Sequence, residues 1–292
     1  MIVITAPTSQ IGSQLVEDLL AANAKLRLVT RDIGKLPEYI RARVEMVEGS
    51  HGDPRVIDNA LAGASAVFWL APPAWQQTLD QAYLDFTRPA AAAIRRRAVP
   101  RVVSITALGR GTQWQGHAGP VTASLAMDDM LMASGAAFRG LAMPSFMENT
   151  ARQISVMKDK GVFFGPIDPD KTLRFTATRD MATAAARLLC DDGWHGQEDV
   201  PVLGPDDLSF NDQAAILSEI AGRPIRYQQI DYDQFKQQFL DRGASESVAQ
   251  GYVDMYRAKE AGIDNVAARR PENTGATSFR QFCERVIKPA MM

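Results

Sequence analysis

Apolar and polar positions follow two alternating periods through the first half of the chain. Ile2–Thr5 is a short apolar, mostly β-branched run and predicts a buried strand. Behind it Ile11, Leu15, Val16, Leu19 and Leu20 recur at helical spacing, so residues 11–22 are predicted helical. Residues 26–30, 44–47, 66–70 and 102–106 repeat the strand pattern, each followed by a turn and a helical stretch. Asp53-Pro54 fits a helix start, with Asp as N-cap and Pro at the first helical position, and Gly63 closes that helix. An Ala-rich helix over 79–97 is expected to kink at Pro89, because proline has no N–H for the helical ladder. Strands that are apolar throughout imply a sheet covered on both faces, and their alternation with helices implies parallel crossovers. The expected fold is α/β, a Rossmann-like doubly wound parallel sheet.

After Asn149 the alternation loosens. Phe163-Phe164-Gly165-Pro166 reads as a turn, and an Ala-rich helix ends near Leu189. Residues 200–203 form a short predicted strand, Ser209 caps a helix over 211–221, and 225–230 alternates like a half-exposed strand. Helical patterns close the chain at 232–242, 246–261 and 278–287. Residues 1–150 are therefore assigned to the doubly wound domain, which the chain rejoins at 175–205. Residues 151–174 and 206–292 are assigned to a smaller mixed C-terminal lobe for substrate or partner.

Composition narrows the functional classes. The 292 residues are 46% hydrophobic, enough for a full core, and 34 acids against 32 Lys+Arg leave a net charge of −2. That balance lacks the basic footprint of a nucleic-acid binder. Two cysteines, Cys190 and Cys283, and three histidines supply neither a disulfide framework nor a metal cluster. No apolar run approaches the ~18 residues of a membrane span, and Met-Ile-Val-Ile-Thr carries no signal-peptide pattern, so a cytoplasmic protein without a metal is expected. Arg95-Arg96-Arg97 reads as cations at a helix C-terminus, where the dipole favours them.

In open α/β sheets ligands bind beyond the C-terminal strand ends, often on the first strand-to-helix turn. Here that turn is Thr5-Ala6-Pro7-Thr8-Ser9-Gln10-Ile11-Gly12. Glycines let backbone N–H groups approach a pyrophosphate, yet only Gly12 is present. The second strand runs into Val29-Thr30-Arg31-Asp32. An arginine there can pair with the 2′-phosphate of NADP, so Arg31 points to NADP over NAD.

The first turn resembles the Thr-Gly-Ala-Thr-Gly-x-x-Gly turn of the NmrA-like family, the atypical short-chain dehydrogenase/reductases. Val29-Thr30-Arg31 resembles the family's second strand. Ser134-Gly135 with Pro144-Ser145-Phe146-Met147-Glu148-Asn149 resembles its Ser-Gly…Arg-Pro-Gly-x-x-x-Glu-Asn segment, and Gly204-Pro205-Asp206-Asp207-Leu208-Ser209 a later part of the fold. Two turn glycines and the segment's arginine are replaced, the latter by Met143, and the family's Gly-Asp after the third strand is Gly49-Ser50. The resemblance implies NADP(H), with NAD(H) as the alternative. It also implies contacts from Thr8, Ser9, Gln10, Ile11, Gly12, Arg31, Ser50, Leu70, Ala71, Pro72 and Ser145. The family holds both reductases and NADP-sensing regulators without enzymatic activity.

The catalytic Tyr-x-x-x-Lys of better-known short-chain dehydrogenases is missing from the helix near 121–133. The spacing recurs only at Tyr232 and Lys236, far downstream, and is read as coincidence. Hydride transfer to a conjugated acceptor needs less from the protein, since the cofactor supplies the chemistry. The first reading is an NAD(P)H-dependent reductase of a flat, apolar or conjugated molecule, quinone- or azo-like. A non-catalytic NADP sensor and a cofactor-free enzyme on the same fold are the alternatives. Trp69, Trp75, Met127, Met143, Phe146 and Met147 are the expected substrate pocket, because aromatics stack on flat ligands and methionine adapts to them. Thr106 at a strand end and His117 in a glycine-rich loop are the candidate catalytic groups, and His51 is read as a second loop histidine that titrates near neutral pH. The expected partner is a small molecule, without nucleic acid or membrane; a homodimer stays open.

Overall fold

The structure, a computed structural model, describes residues 1–291. Six strands lead the chain: β1 (Ile2–Thr5), β2 (Leu26–Thr30), β3 (Glu45–Glu48), β4 (Ala66–Trp69), β5 (Arg101–Ala107) and β6 (Ala137–Met143). Six more follow: β7 (Ser145–Phe146), β8 (Val162–Gly165), β9 (Leu173–Thr176), β10 (Gln197–Pro201), β11 (Asp207–Leu208) and β12 (Arg226–Gln229). The order β10-β6-β5-β4-β1-β2-β3 makes one seven-stranded sheet in which every neighbouring pair is parallel. The Rossmann-like reading holds. Two small sheets, β11-β9-β7 and β12-β8, belong to the later part of the chain.

Helices α1 (Gln10–Ala21), α2 (Glu38–Arg41), α3 (Pro54–Ala60), α4 (Phe86–Arg97) and α5 (Pro120–Met132) connect the leading strands. After them come α6 (Glu148–Ala151), α7 (Ile154–Lys160), α8 (Thr178–Cys190), α9 (Phe210–Ala221), α10 (Tyr232–Leu240) and α11 (Glu246–Glu260). The period-two alternation of the strands sends Ile2, Ile4, Leu28, Phe68 and Ile105 into one apolar layer with α1 and α8. Val3, Val29, Val67, Trp69 and Val102 go into the opposite layer with α3 and α4. The chain re-enters the central layers through α8, packed on α1, and β10, paired to β6.

Pro89 does sit inside its helix, and the residues just before that helix, Gln81–Asp85, form a wide π-type turn. Such a turn loosens the ladder where proline cannot donate. Phe163, Phe164 and Gly165 of the expected turn are instead in strand β8, paired in parallel with β12, and Pro166 lies in the bend that follows. Phe163 and Tyr227 are buried together in the lobe's own core, and a Cβ on Gly165 would lie 2.7 Å from the Tyr227 hydroxyl. That glycine marks close approach, not a turn. Arg96 and Arg97 both pair with Asp58, and Arg95 donates to the Ala133 carbonyl, so the basic triplet is consumed within the fold.

Candidate cofactor and active site

The end of β1 is tied to the end of β4 by one side chain. Thr5 Oγ1 donates to the Phe68 carbonyl at 2.9 Å and accepts the Leu70 N–H at 3.1 Å. The next residue, Ala6, takes φ = +50°, a conformation that usually calls for glycine. Alanine here holds the bend that the absent glycine would have held. Ser9, at the second missing glycine, has φ = −75° and ψ = 165°, which any residue adopts. Its Oγ accepts the Gly12 N–H at 2.9 Å and caps α1. Gly12 itself is irreplaceable by space: a Cβ there would lie 2.2 Å from the Ala6 carbonyl oxygen. Among the described residues the N–H groups of Gln10 and Ile11 have no partner. Two open donors at a helix N-terminus, where the dipole is positive, suit an anion.

Arg31 is exposed just past β2 and has no ion-pair partner among the described residues. The neighbouring Asp32 carboxylate is engaged locally, accepting the Gly34 N–H at 2.9 Å. Lys35 joins Pro7, Thr8, Gln14 and Leu36 around a cleft of about 350 Å³ beside the turn. It is a second cation beside the turn that sequence reasoning missed, although its place four residues after Arg31 was legible. Ser50 is half-buried, and its Oγ accepts the Gly52 N–H at 3.3 Å. His51 does lie in the loop between β3 and α3, but it is buried there. It lies edge-on to Trp69 and Phe86, and its Nε2 meets the Leu70 carbonyl at 3.1 Å. Burial drives its pKa down to about 4, so it is neutral at physiological pH and donates to that carbonyl. Leu70, Ala71 and Pro72, half-buried, follow at the end of β4. Ser145, also half-buried, begins β7 opposite Phe175 of β9.

The expected substrate residues separate into two groups. Trp69 is fully buried, with its indole N–H donated to Thr87 Oγ1 at 3.1 Å, so it belongs to the core and walls no cleft. Met127, Met143 and Met147 are equally enclosed, each in a different apolar layer, and leave no surface for a ligand. Phe146 and Trp75 keep partial exposure. Trp75 turns toward the C-terminal lobe and packs on Phe239 of α10, ring centroids 5.7 Å apart.

Thr106 is buried and faces α5, its Oγ1 3.5 Å from Ser124 Oγ. His117 is exposed on the wall of a separate cleft of about 690 Å³ between α5 and α11, with Leu79, Trp114, Thr122, Gln250 and Arg257. The structure therefore does not unite Thr106 and His117 in one cavity. On α5 the buried stripe is Val121, Ser124, Leu125, Asp128 and Leu131. Asp128 was missed by the sequence reading. It accepts the Ser104 hydroxyl at 2.9 Å, and burial pushes its carboxyl up to about 7.

A family model described as NAD(P)H-binding matches residues 7–191, which contain the turn from Pro7 onward, β2 to β6 and α8. The chain belongs to this NAD(P)H-binding family. An NAD(P)H azoreductase of Xenophilus azovorans is 29% identical over 97% of each chain. Quinone oxidoreductase 2 of Escherichia coli is 23% identical over 87% of this chain and 86% of its own. Among solved structures, the Citrobacter sp. triphenylmethane reductase complexed with NADP(H) superposes with a TM-score of 0.82. It is 16% identical, covering 98% of this chain and 100% of that one, so it supports the fold alone.

Within this member of the NAD(P)H-binding family, Tyr232 and Lys236 are far from free. The Tyr232 hydroxyl donates to Glu260 at 3.0 Å and Lys236 pairs with Glu246. Among the described residues no three His, Cys, Asp or Glu side chains gather as a metal site, and no helix is long and apolar enough to cross a membrane.

Proposed function

We propose that this chain is an NAD(P)H-dependent oxidoreductase that reduces a flat, apolar or conjugated small molecule of quinone or azo type. The observation that carries this reading is the β1–α1 turn. Ala6 at φ = +50° and the close seat of Gly12 maintain the bend, while the Gln10 and Ile11 amides stay open for a pyrophosphate. Arg31 and Lys35 supply the charge that suits a 2′-phosphate and favour NADP(H) over NAD(H). Ser50, Leu70, Ala71, Pro72 and Ser145, all half-buried, are the residues this reading assigns to the rest of the cofactor. Bound NADPH would supply the hydride, and Phe146 and Trp75 are the partly exposed aromatic groups offered to a planar acceptor. The azoreductase and quinone oxidoreductase relatives support the acceptor class.

The missing tyrosine and lysine of α5 favour a second reading, an NADP sensor without turnover. NADPH oxidation followed spectrophotometrically with a panel of quinones and azo dyes separates the two. The reductase reading expects steady oxidation with at least one class, faster with NADPH than with NADH. Binding of NADPH without oxidation by any acceptor contradicts it and leaves the sensor.

A further inference from the structure

Helix α8 begins with three residues that each hold a different segment of the chain. Thr178 meets Glu148 of α6 and Gln14 of α1, and Arg179 pairs with Asp18 of α1. Asp180 accepts the N–H and the hydroxyl of Thr277 at 3.1 and 2.9 Å. The helix has no side-chain cap of its own, because its N-cap position is Ala177. Glu148 takes that place from outside the helix. Its Oε1 accepts the Thr178 N–H at 2.9 Å and the Thr178 hydroxyl at 2.5 Å.

A threonine hydroxyl carries one proton. With that proton committed to Glu148, Thr178 Oγ1 is an acceptor toward α1, and it receives a side-chain N–H of Gln14 at 3.0 Å. The second N–H of the same amide goes to the Gln10 carbonyl at 2.6 Å. Both neighbours accept, which fixes the orientation of the Gln14 amide. The bonds thus run in one direction, from the first turn of α1 through Gln14 and Thr178 to Glu148. Their starting point is the turn whose Gln10 and Ile11 N–H groups stand open, and Gln14 also lines the cleft beside it.

Glu148 and Thr178 are buried, and Glu148 Oε2 has no hydrogen-bond partner among the described residues. An enclosed oxygen without a partner costs stability, so packing alone would be served better by an apolar side chain at this position. What Oε1 holds accounts for the carboxyl group. Phe146, the aromatic group offered to the acceptor, precedes Glu148 by two residues and pairs with Thr176, two residues before Thr178. The cofactor turn is thereby tied to the segment that carries the acceptor side.

We propose that Glu148 and Thr178 are positioning residues for dinucleotide binding: through Gln14 they hold the first turn of α1, so that its open N–H groups meet the pyrophosphate. The inference rests on the reading of the β1–α1 turn given above.

The test is calorimetric titration with NADPH and with NADH of the wild type, Thr178→Val, Thr178→Ser, Glu148→Leu, Gln14→Leu and the double variant Thr178→Val/Gln14→Leu. Melting temperatures are recorded for each. Thr178→Val keeps the side chain's shape and removes the hydroxyl. It should raise the Kd of both nucleotides alike by about 10-fold, because the pyrophosphate is common to them, and Glu148→Leu should do the same. Thr178→Ser, which keeps the hydroxyl, should stay within about 3-fold of the wild type. Gln14→Leu should match Thr178→Val, and the double variant should be no weaker than either single one, since both break the same chain of bonds.

Additive losses in the double variant overturn the proposal, as does a loss confined to NADPH or a Thr178→Ser as weak as Thr178→Val. A lowered melting temperature with unchanged Kd in Thr178→Val or Glu148→Leu marks a merely structural contact and overturns it as well. If the variants of the two buried residues do not fold, Gln14→Leu, at a half-buried position, decides alone: a shared loss supports the proposal and an unchanged Kd overturns it. A wild type that binds neither nucleotide overturns the reading of the turn and the proposal with it, a result distinct from a wild type and variants that all bind equally.

Discussion

The first turn and helix α5 both depart from the expected pattern, but they depart in different currencies. The turn has Ala6 and Ser9 where the turn it resembles has glycines, and it bends all the same, because Ala6 accepts the left-handed backbone and Ser9 needs no unusual conformation at all. What the turn offers a ligand is main-chain N–H, which every residue but proline carries. Helix α5 carries neither a tyrosine nor a lysine, and no backbone rearrangement supplies a phenol or an amine. A geometric function tolerates substitution at a cost of about 1–2 kcal/mol per strained residue, whereas a chemical one must be replaced by other side chains or abandoned.

The sharpest way to break this comparison is Gly12→Val. Its Cβ would collide with the Ala6 carbonyl oxygen at 2.2 Å, so the turn must open. NADPH affinity should drop by at least about 100-fold, or ~2.7 kcal/mol, by calorimetry, with a further stability loss of ~1–3 kcal/mol. Wild-type affinity in this variant means the turn is not the grip. His51, on the same side of the sheet edge, extends the contrast to pH. Its folded pKa of about 4 lies below the ordinary 6.5, so the unfolded chain takes the proton first. The contribution of His51 is complete above pH 6.5 and falls as pH drops toward 4, by up to ~3 kcal/mol. Denaturant titrations of wild type and His51→Gln at both ends should show this as the difference between the two proteins, since the buried Asp128 carboxyl shifts both alike and with the opposite sign.

Arg31→Ala should weaken NADPH by roughly 10- to 100-fold and NADH far less, since only the former has a phosphate to lose. Equal losses for both would remove the 2′-phosphate role. The smallest effect is the most direct on the turn itself. Ala6→Gly relieves the strained backbone but loosens the unfolded chain, for a net gain of ~0.5–1 kcal/mol in unfolding free energy. A loss instead would mean that the alanine methyl group contributes packing greater than the strain.

Much of the fold was legible because period-two and period-3.6 patterns rarely coincide. Leu26–Thr30 was bounded to the residue, and the helix over Gln10–Ala21 to within one. Strand β8 was hidden by Phe-Phe-Gly-Pro, whose turn character is local, while its pairing with β12 bridges 60 residues of chain. The site was less legible. Trp69 and the three methionines satisfy an apolar pattern equally well as core or as pocket, and only packing distinguishes the two. Asp128 was available to a reader of the Val121, Ser124, Leu125, Leu131 stripe, where an acid in register with apolar neighbours is out of place. Its partner Ser104, 24 residues away, was not.

The central claim is that a turn with one glycine of three still binds a dinucleotide. Calorimetric titration of the unmodified chain with NADPH tests it most directly. The account predicts one site per chain with micromolar or tighter affinity and a weaker response to NADH. No binding of either nucleotide at millimolar concentration would contradict it.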